Sequence, residues 1–178
     1  NLDFNDKNIK LFIKPHFPLL EISEVKLSSN NEFDFKINKK YQISDFSINS
    51  KIQLEEFSFL NNNKLENFFP KVNKILKLSN HKLDVDYKKN DLVINGSGDI
   101  LLQQNKDQLT YLIKKRGKKF NFKNSLIINK NSLVLDFLNF EKDQNSQMKI
   151  TFNGDGELGK KTKFDLISVK EVENQFEI

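Results

Sequence analysis

The side chains best suited to proton transfer or metal ligation near neutral pH are the two histidines, His16 and His81. They stand 65 residues apart, and neither has a second ligand close by in sequence, so both are expected as polar surface residues and no metal site is assigned. Carboxylates are plentiful, as Glu55 with Glu56 and Asp84 with Asp86 show. General acid and base work needs a recessed pair in a perturbed environment, whereas these fall on polar strand faces or turns. No nucleophile elbow marks a Ser, His and Asp set. The chain is therefore read as a non-enzyme with no cofactor.

Two glycine motifs and one basic cluster could bind ions. "NGSGD" at 95–99 has the look of a phosphate loop, but such a loop needs a helix after it to present N–H groups, and "ILLQ" reads as a strand. A kinked or bulged strand is expected instead. "NGDGE" at 153–157 lacks the ligand spacing of a calcium loop and is expected as a hairpin turn. "LIKKRGKKFNF" at 112–122 places Lys114, Lys115, Arg116, Lys118 and Lys119 around Gly117, ahead of Phe120 and Phe122. A nucleic-acid groove would use cations interleaved with aromatics in this way. Arg116 is nevertheless the sole arginine, and the net charge of +5 is spread over nearly every turn, so nucleic acid is not expected as a partner. The cluster reads first as a hairpin tip, whose lysines discourage edge pairing between sheets and could also meet anionic lipid heads.

Composition limits what can position such groups. The 178 residues fit one β-rich segment over 1–178, expected as an excerpt of a longer repetitive protein. Cysteine is absent, which excludes disulfides, thiolate metal sites and cysteine nucleophiles. Alanine, the best helix former, is also absent, while Phe and Ile abound. No apolar run reaches the roughly 18 residues of a membrane span, and the start shows no signal peptide.

Alternation with period two dominates. From Asp45 to Glu55, Phe46, Ile48, Ile52 and Leu54 share one face, opposite Ser47, Asn49, Lys51 and Gln53. The same reading applies to Phe33, Phe35 and Ile37, to Leu83, Val85 and Tyr87, to Phe120 and Phe122, to Met148, Ile150 and Phe152, and to Phe164 and Leu166. Polar clusters at 28–31, 38–40, 88–91, 116–118, 129–132 and 153–156 read as turns. The expected fold is mainly β, an antiparallel meander of roughly ten to twelve strands forming an elongated, curved sheet or open groove.

One stretch breaks the alternation. Leu65, Phe68, Phe69, Val72, Ile75 and Leu76 follow helical spacing, with Pro70 tolerable only in a first turn, which predicts a short amphipathic helix near 69–78. A helix of that length would cover two or three strands at most, on about 1.5 Å of rise per residue and about 4.8 Å between strands. The remaining apolar face must close on itself or accept a ligand. Leu92, Ile94, Ile100 and Leu102 flank Gly96 and Gly98 on one side, where the strand is expected to bend.

The run from Phe68 to Gln103, with "GSGDILLQ" ahead of a hairpin, and the following stretch from Leu109 to Asn145, with its "LVLDFLNFEK" run, resemble the AsmA-like superfamily, specifically the DUF3971-type bridge-like lipid-transfer proteins of the bacterial envelope. The resemblance implies a periplasmic segment of an inner-membrane-anchored protein, with the anchor outside this stretch and further repeats of the same polypeptide flanking it. It implies an apolar β-groove along which phospholipid acyl chains pass between inner and outer membrane. Such a groove would be lined by Phe46, Ile48, Ile52, Leu54, Leu92, Ile94, Ile100 and Leu102. The residues alone allow a second reading, a scaffold or interaction module whose apolar face is a closed core.

Overall fold

The computed structural model describes residues 21–61, 65–136, 139–143, 146–171 and the backbone of 175–177. Among them lie eleven strands: β1 (Ile22–Ile37), β2 (Ile43–Leu60), β3 (Ile75–Lys88), β4 (Asp91–Leu101), β5 (Lys106–Arg116), β6 (Lys119–Ile128), β7 (Val134–Leu135), β8 (Phe140–Glu141), β9 (Met148–Glu157), β10 (Thr162–Glu171) and β11 (Gln175–Glu177). Nine of them form one antiparallel sheet in the order β1-β2-β3-β4-β5-β6-β9-β10-β11, which is open because its two edges do not pair. The hairpin of β7 and β8 leaves the sheet between β6 and β9. The meander expected from alternation is thus the observed architecture.

Reading the pairings across the sheet gives rungs of side chains on one face. The first runs Phe33, Ile48, Tyr87, Leu92, Lys115, Phe120, Gly156, and the second Asn31, Ser50, Val85, Ile94, Ile113, Phe122, Gly154, Phe164. The third runs Ser29, Ile52, Leu83, Gly96, Tyr111, Asn124, Phe152, Ile167. Further along come Leu27, Leu54 and His81, then Gly98, Leu109, Leu126, Ile150 and Val169. Val25, Phe57, Leu78 and Ile100 begin the last rung. One face of the sheet is thus predominantly apolar, interrupted by Ser29, Asn31, Ser50, His81, Lys115 and Asn124.

Bulges keep it so. In β2 the apolar residues are even-numbered up to Leu54 and odd-numbered from Phe57, and in β3 they are odd from Tyr87 to His81 and even at Leu78 and Leu76. The pairing of β1 with β2 slips by one residue at Glu55, and that of β3 with β4 slips where Asn80 and His81 face Gly98. Asn80 takes a positive φ of 56° there, a conformation Asn tolerates better than most residues. A third slip at Asp165 brings Ile167 and Val169 onto the face of Phe164. Each extra residue inverts the alternation and returns the apolar side chains to the same side.

The helix expected near 69–78 is not formed. Leu65–Asn67 make a single 3-10 turn, and β3 already begins at Ile75. Pro70 and Lys71, the latter at φ 63°, break the segment, and its apolar residues reach the core from a loop. The apparent helical stripe is a loop's buried residues joined to the alternate residues of a strand. The turn expected at 28–31 lies within β1, and the turn expected at 153–156 lies within β9. The turns expected at 38–40, 88–91 and 116–118 connect the strands they were assigned to separate.

The core sits at one end of the apolar face. Phe69, Leu133 and Leu135 from the two long connections cover Leu76, Ile100, Leu126, Ile128, Met148 and Val169 of the sheet. A fully buried side chain of this size stabilises by about 1.5–3 kcal/mol. Backbone bonds fix the cover, with Val134 donating to the Phe68 carbonyl at 2.9 Å and Asn73 to that of Leu102 at 2.8 Å. No helix among the described residues is long and apolar enough to cross a membrane.

Candidate functional site

The uncovered part of the face comprises its first three rungs. Ile48, Ile52, Leu83, Val85, Leu92, Ile94 and Ile113 are half-buried by one another, while Phe33, Phe46 and Phe164 are exposed. Successive rungs are two residues apart, so the three span about 13 Å along the strands, and seven strands span about 29 Å across. Of the side chains expected to line a groove, Phe46, Ile48, Ile52, Leu92 and Ile94 lie here. Leu54, Ile100 and Leu102 lie at the covered end and are buried. Leu102 follows β4 and packs under the connections.

Aromatic rings line both flanks. Phe46 stands 6.3 Å from Phe33 and 6.2 Å from Tyr87 between ring centroids. On the other side Phe122 meets Phe164 edge-on at 5.5 Å although β9 runs between their strands. Gly154 permits this, since a Cβ there would lie 2.9 Å from the Phe122 ring and 2.1 Å from the Lys163 carbonyl. Gly156 likewise lies beneath Phe120.

The boundary between covered and open parts is polar. His81, expected at the surface, is completely buried, its ring laid over Gly98. His81 Nε2 lies 2.9 Å from the Asp99 carbonyl and Nδ1 lies 3.2 Å from the Tyr111 hydroxyl. A neutral ring protonated on Nε2 satisfies both, donating to the carbonyl and accepting from Tyr111. Burial lowers the His81 pKa below its ordinary value and pushes Tyr111 up to about 12, so both stay neutral at pH 7. Tyr111 in turn lies over Gly96. "NGSGD" is thus a strand whose glycines make room for two rings, with the bulge in the neighbouring strand, and "NGDGE" in β9 repeats the device with Phe120 and Phe122. His16 lies outside the described residues.

The far end carries charge. Gly117, at φ 57°, and Lys118 form the tip between β5 and β6. Arg116 makes a bidentate pair with Asp91 at 2.7 and 2.6 Å, while Lys160, helped by Lys118 and Lys119 of the cluster, holds the Glu157 carboxyl below its ordinary value. A cavity of about 400 Å³ beside the tip is bordered by Leu92, Lys115, Lys119 and Phe120 among others. Composition alone does not reveal that the other hairpins at this end match it. The β1–β2 turn carries Lys39 and Lys40, the β3–β4 turn Lys88 and Lys89, the β5–β6 turn Lys118 and Lys119, and the β9–β10 turn Lys160 and Lys161, all exposed. A Lys-Lys pair at alternate turns of a meander is the signal that would have found this rim.

At the covered end Asp107, Asn131 and Lys142 are buried together. Asp107 accepts from Asn131 Nδ2 at 2.7 Å and the Asn129 N–H at 3.0 Å, and Lys142 Nζ donates to the carbonyls of Asn129 at 2.8 Å and Asp143 at 2.9 Å. This cluster fastens a connection to the sheet, and among the described residues no three His, Asp or Glu side chains converge to hold a metal. Comparison of the chain with protein-family models, with curated proteins and with solved structures found no match.

Proposed function

We propose that the chain is a segment of an envelope lipid-transfer protein and that its open apolar face holds phospholipid acyl chains. The observation that carries this is the first three rungs, mostly apolar from β2 to β10 apart from Ser50, Lys115 and Asn124, and left without a cover among the described residues. Each methylene transferred from water to such a face contributes about 0.8 kcal/mol. The depth of about 13 Å along the strands is close to one leaflet's share of the hydrocarbon core, about 15 Å. The resemblance to AsmA-like proteins supports the same reading.

Native mass spectrometry of gently purified protein tests it, together with uptake of a pyrene-labelled phospholipid. Ile52→Asp with Ile94→Asp places two carboxylates on the open rungs and should abolish uptake while the covered core keeps the fold. Protein that carries no lipid and takes up none would overturn the proposal. It would favour a scaffold module, whose support is the packed core at the covered end.

A further inference from the structure

The end of the sheet that bears the four Lys-Lys turns also exposes apolar side chains. Ile37 and Ile43 pair across the β1–β2 hairpin and are 59% and 62% exposed, and Tyr41 at its tip is 92% exposed. The carboxylates nearest these turns are already engaged: Asp45 with Lys36 at 3.1 Å, Asp91 with Arg116 and Glu157 with Lys160. Lys88 and Lys89 also lie near Asp45, and Lys118 and Lys119 near Glu157, but the four turns carry eight lysines against these three carboxylates, an excess of positive charge beside exposed aliphatic and phenolic groups.

We propose that this end docks on an anionic membrane surface, with the lysine turns on the lipid head groups and the tip of the β1–β2 hairpin inserted between them. Charge complementarity favours the membrane, since a lysine near an acidic leaflet contributes roughly fivefold in partitioning. Tyr41 beside Ile37 and Ile43 suits the layer where an apolar body and a polar tip are both satisfied. A nucleic-acid surface would leave those aliphatics without a partner, and the one arginine is tied to Asp91. Docking in this pose sets the open rungs next to the head groups, because the first rung adjoins the turns.

Co-sedimentation of the full chain with vesicles tests the proposal. Binding is expected to vesicles of phosphatidylglycerol and phosphatidylcholine, to weaken with salt, and to be at least tenfold poorer on phosphatidylcholine alone. Replacing Lys88, Lys89, Lys118 and Lys119 by Gln should reduce binding to the acidic vesicles by at least about tenfold, with the far-UV spectrum and Tm unchanged. Should that variant fold poorly, Lys88→Gln with Lys89→Gln alone carries the test with a severalfold loss. Tyr41→Ser should also weaken binding. Equal binding to neutral vesicles, unchanged binding of a folded lysine variant, or tighter binding to a single-stranded RNA oligonucleotide than to acidic vesicles would each overturn it. The Ile52→Asp, Ile94→Asp protein should still bind vesicles, so loss of acyl-chain uptake and loss of docking are distinguishable.

Discussion

The imidazole of His81 occupies the space that a side chain at position 98 would need: a Cβ on Gly98 would lie 2.4 Å from the ring and 2.7 Å from the His81 Cα. The contact forms where β3 carries an extra residue, and it marks the border between the covered and open parts of the apolar face. A polar ring at the edge of an apolar core is tolerable here because both ring nitrogens have partners.

Gly98→Ala should therefore destabilise the protein by about 1–3 kcal/mol, as overpacking against a fixed backbone does. Gly96→Ala, whose Cβ would lie 2.5 Å from the Tyr111 ring, should behave similarly. Gly117→Ala meets no atom within 4 Å, and its cost is only that of a positive φ, about 1 kcal/mol. Urea midpoints of the three variants check the ranking. A Gly98→Ala protein as stable as the parent would mean that the ring is not held over the glycine.

His81 also makes stability depend on pH. Its folded pKa lies below the ordinary 6.5 because burial disfavours the charged ring. Below pH 6.5 the unfolded chain binds a proton that the folded chain refuses, so stability is complete above 6.5 and declines as the pH falls through that value. Thermal melts between pH 7.5 and 5.5 should show a fall in Tm that is smaller in His81→Gln, which keeps a donor for the Asp99 carbonyl but does not titrate. Parallel slopes in the two proteins would assign the fall to other groups.

Period-two alternation was enough to read most strands, because a half-covered antiparallel sheet writes its buried face into every second residue. It failed where the period shifts. At Glu55, Asn80 and Asp165 a single extra residue inverts the pattern, so Phe57 and Phe59 are not seen as the continuation of Ile52 and Leu54. Leu76, cut off in the same way, joined a false helix with Phe69 and Val72. Ser29 and Asn31 belong to the apolar face although they are polar, and with Ser28 and Asn30 they looked like a turn. The burial of His81 depends on what lies opposite it across β4, which no spacing along the chain discloses.

Asn80 offers a direct check on the bulge that corrects the phase in β3. Its φ of 56° is costly for a β-branched residue, so Asn80→Val should cost about 1–2 kcal/mol. Asn80→Gly should stay within a few tenths of the parent, since glycine reaches this conformation freely and only the bond from Asn80 Nδ2 to Asp99 at 3.0 Å is lost. Equal midpoints for Val and Gly would show that the bulge can relocate along the strand.

Lys142 and Asp107 make the strongest stability prediction. Both are buried, and burial pushes the Asp107 carboxyl up and the Lys142 ammonium down from their ordinary values. Lys142→Met removes the nearby cation and the Nζ donor of the Asn129 carbonyl, while the Asp143 carbonyl keeps its bonds from Ser146. Breaking a buried charge arrangement from one side costs about 3–5 kcal/mol. At about 2–4 °C of Tm per kcal/mol for a domain of this size, the expected loss is at least about 6 °C. Asp107→Asn in the same chain should recover part of it, because the amide keeps an acceptor for Asn131 or for the Asn129 N–H without an uncompensated charge. If the double variant is no more stable than Lys142→Met alone, the two groups are not coupled, and the connection is held by Leu133 and Leu135 in the core instead.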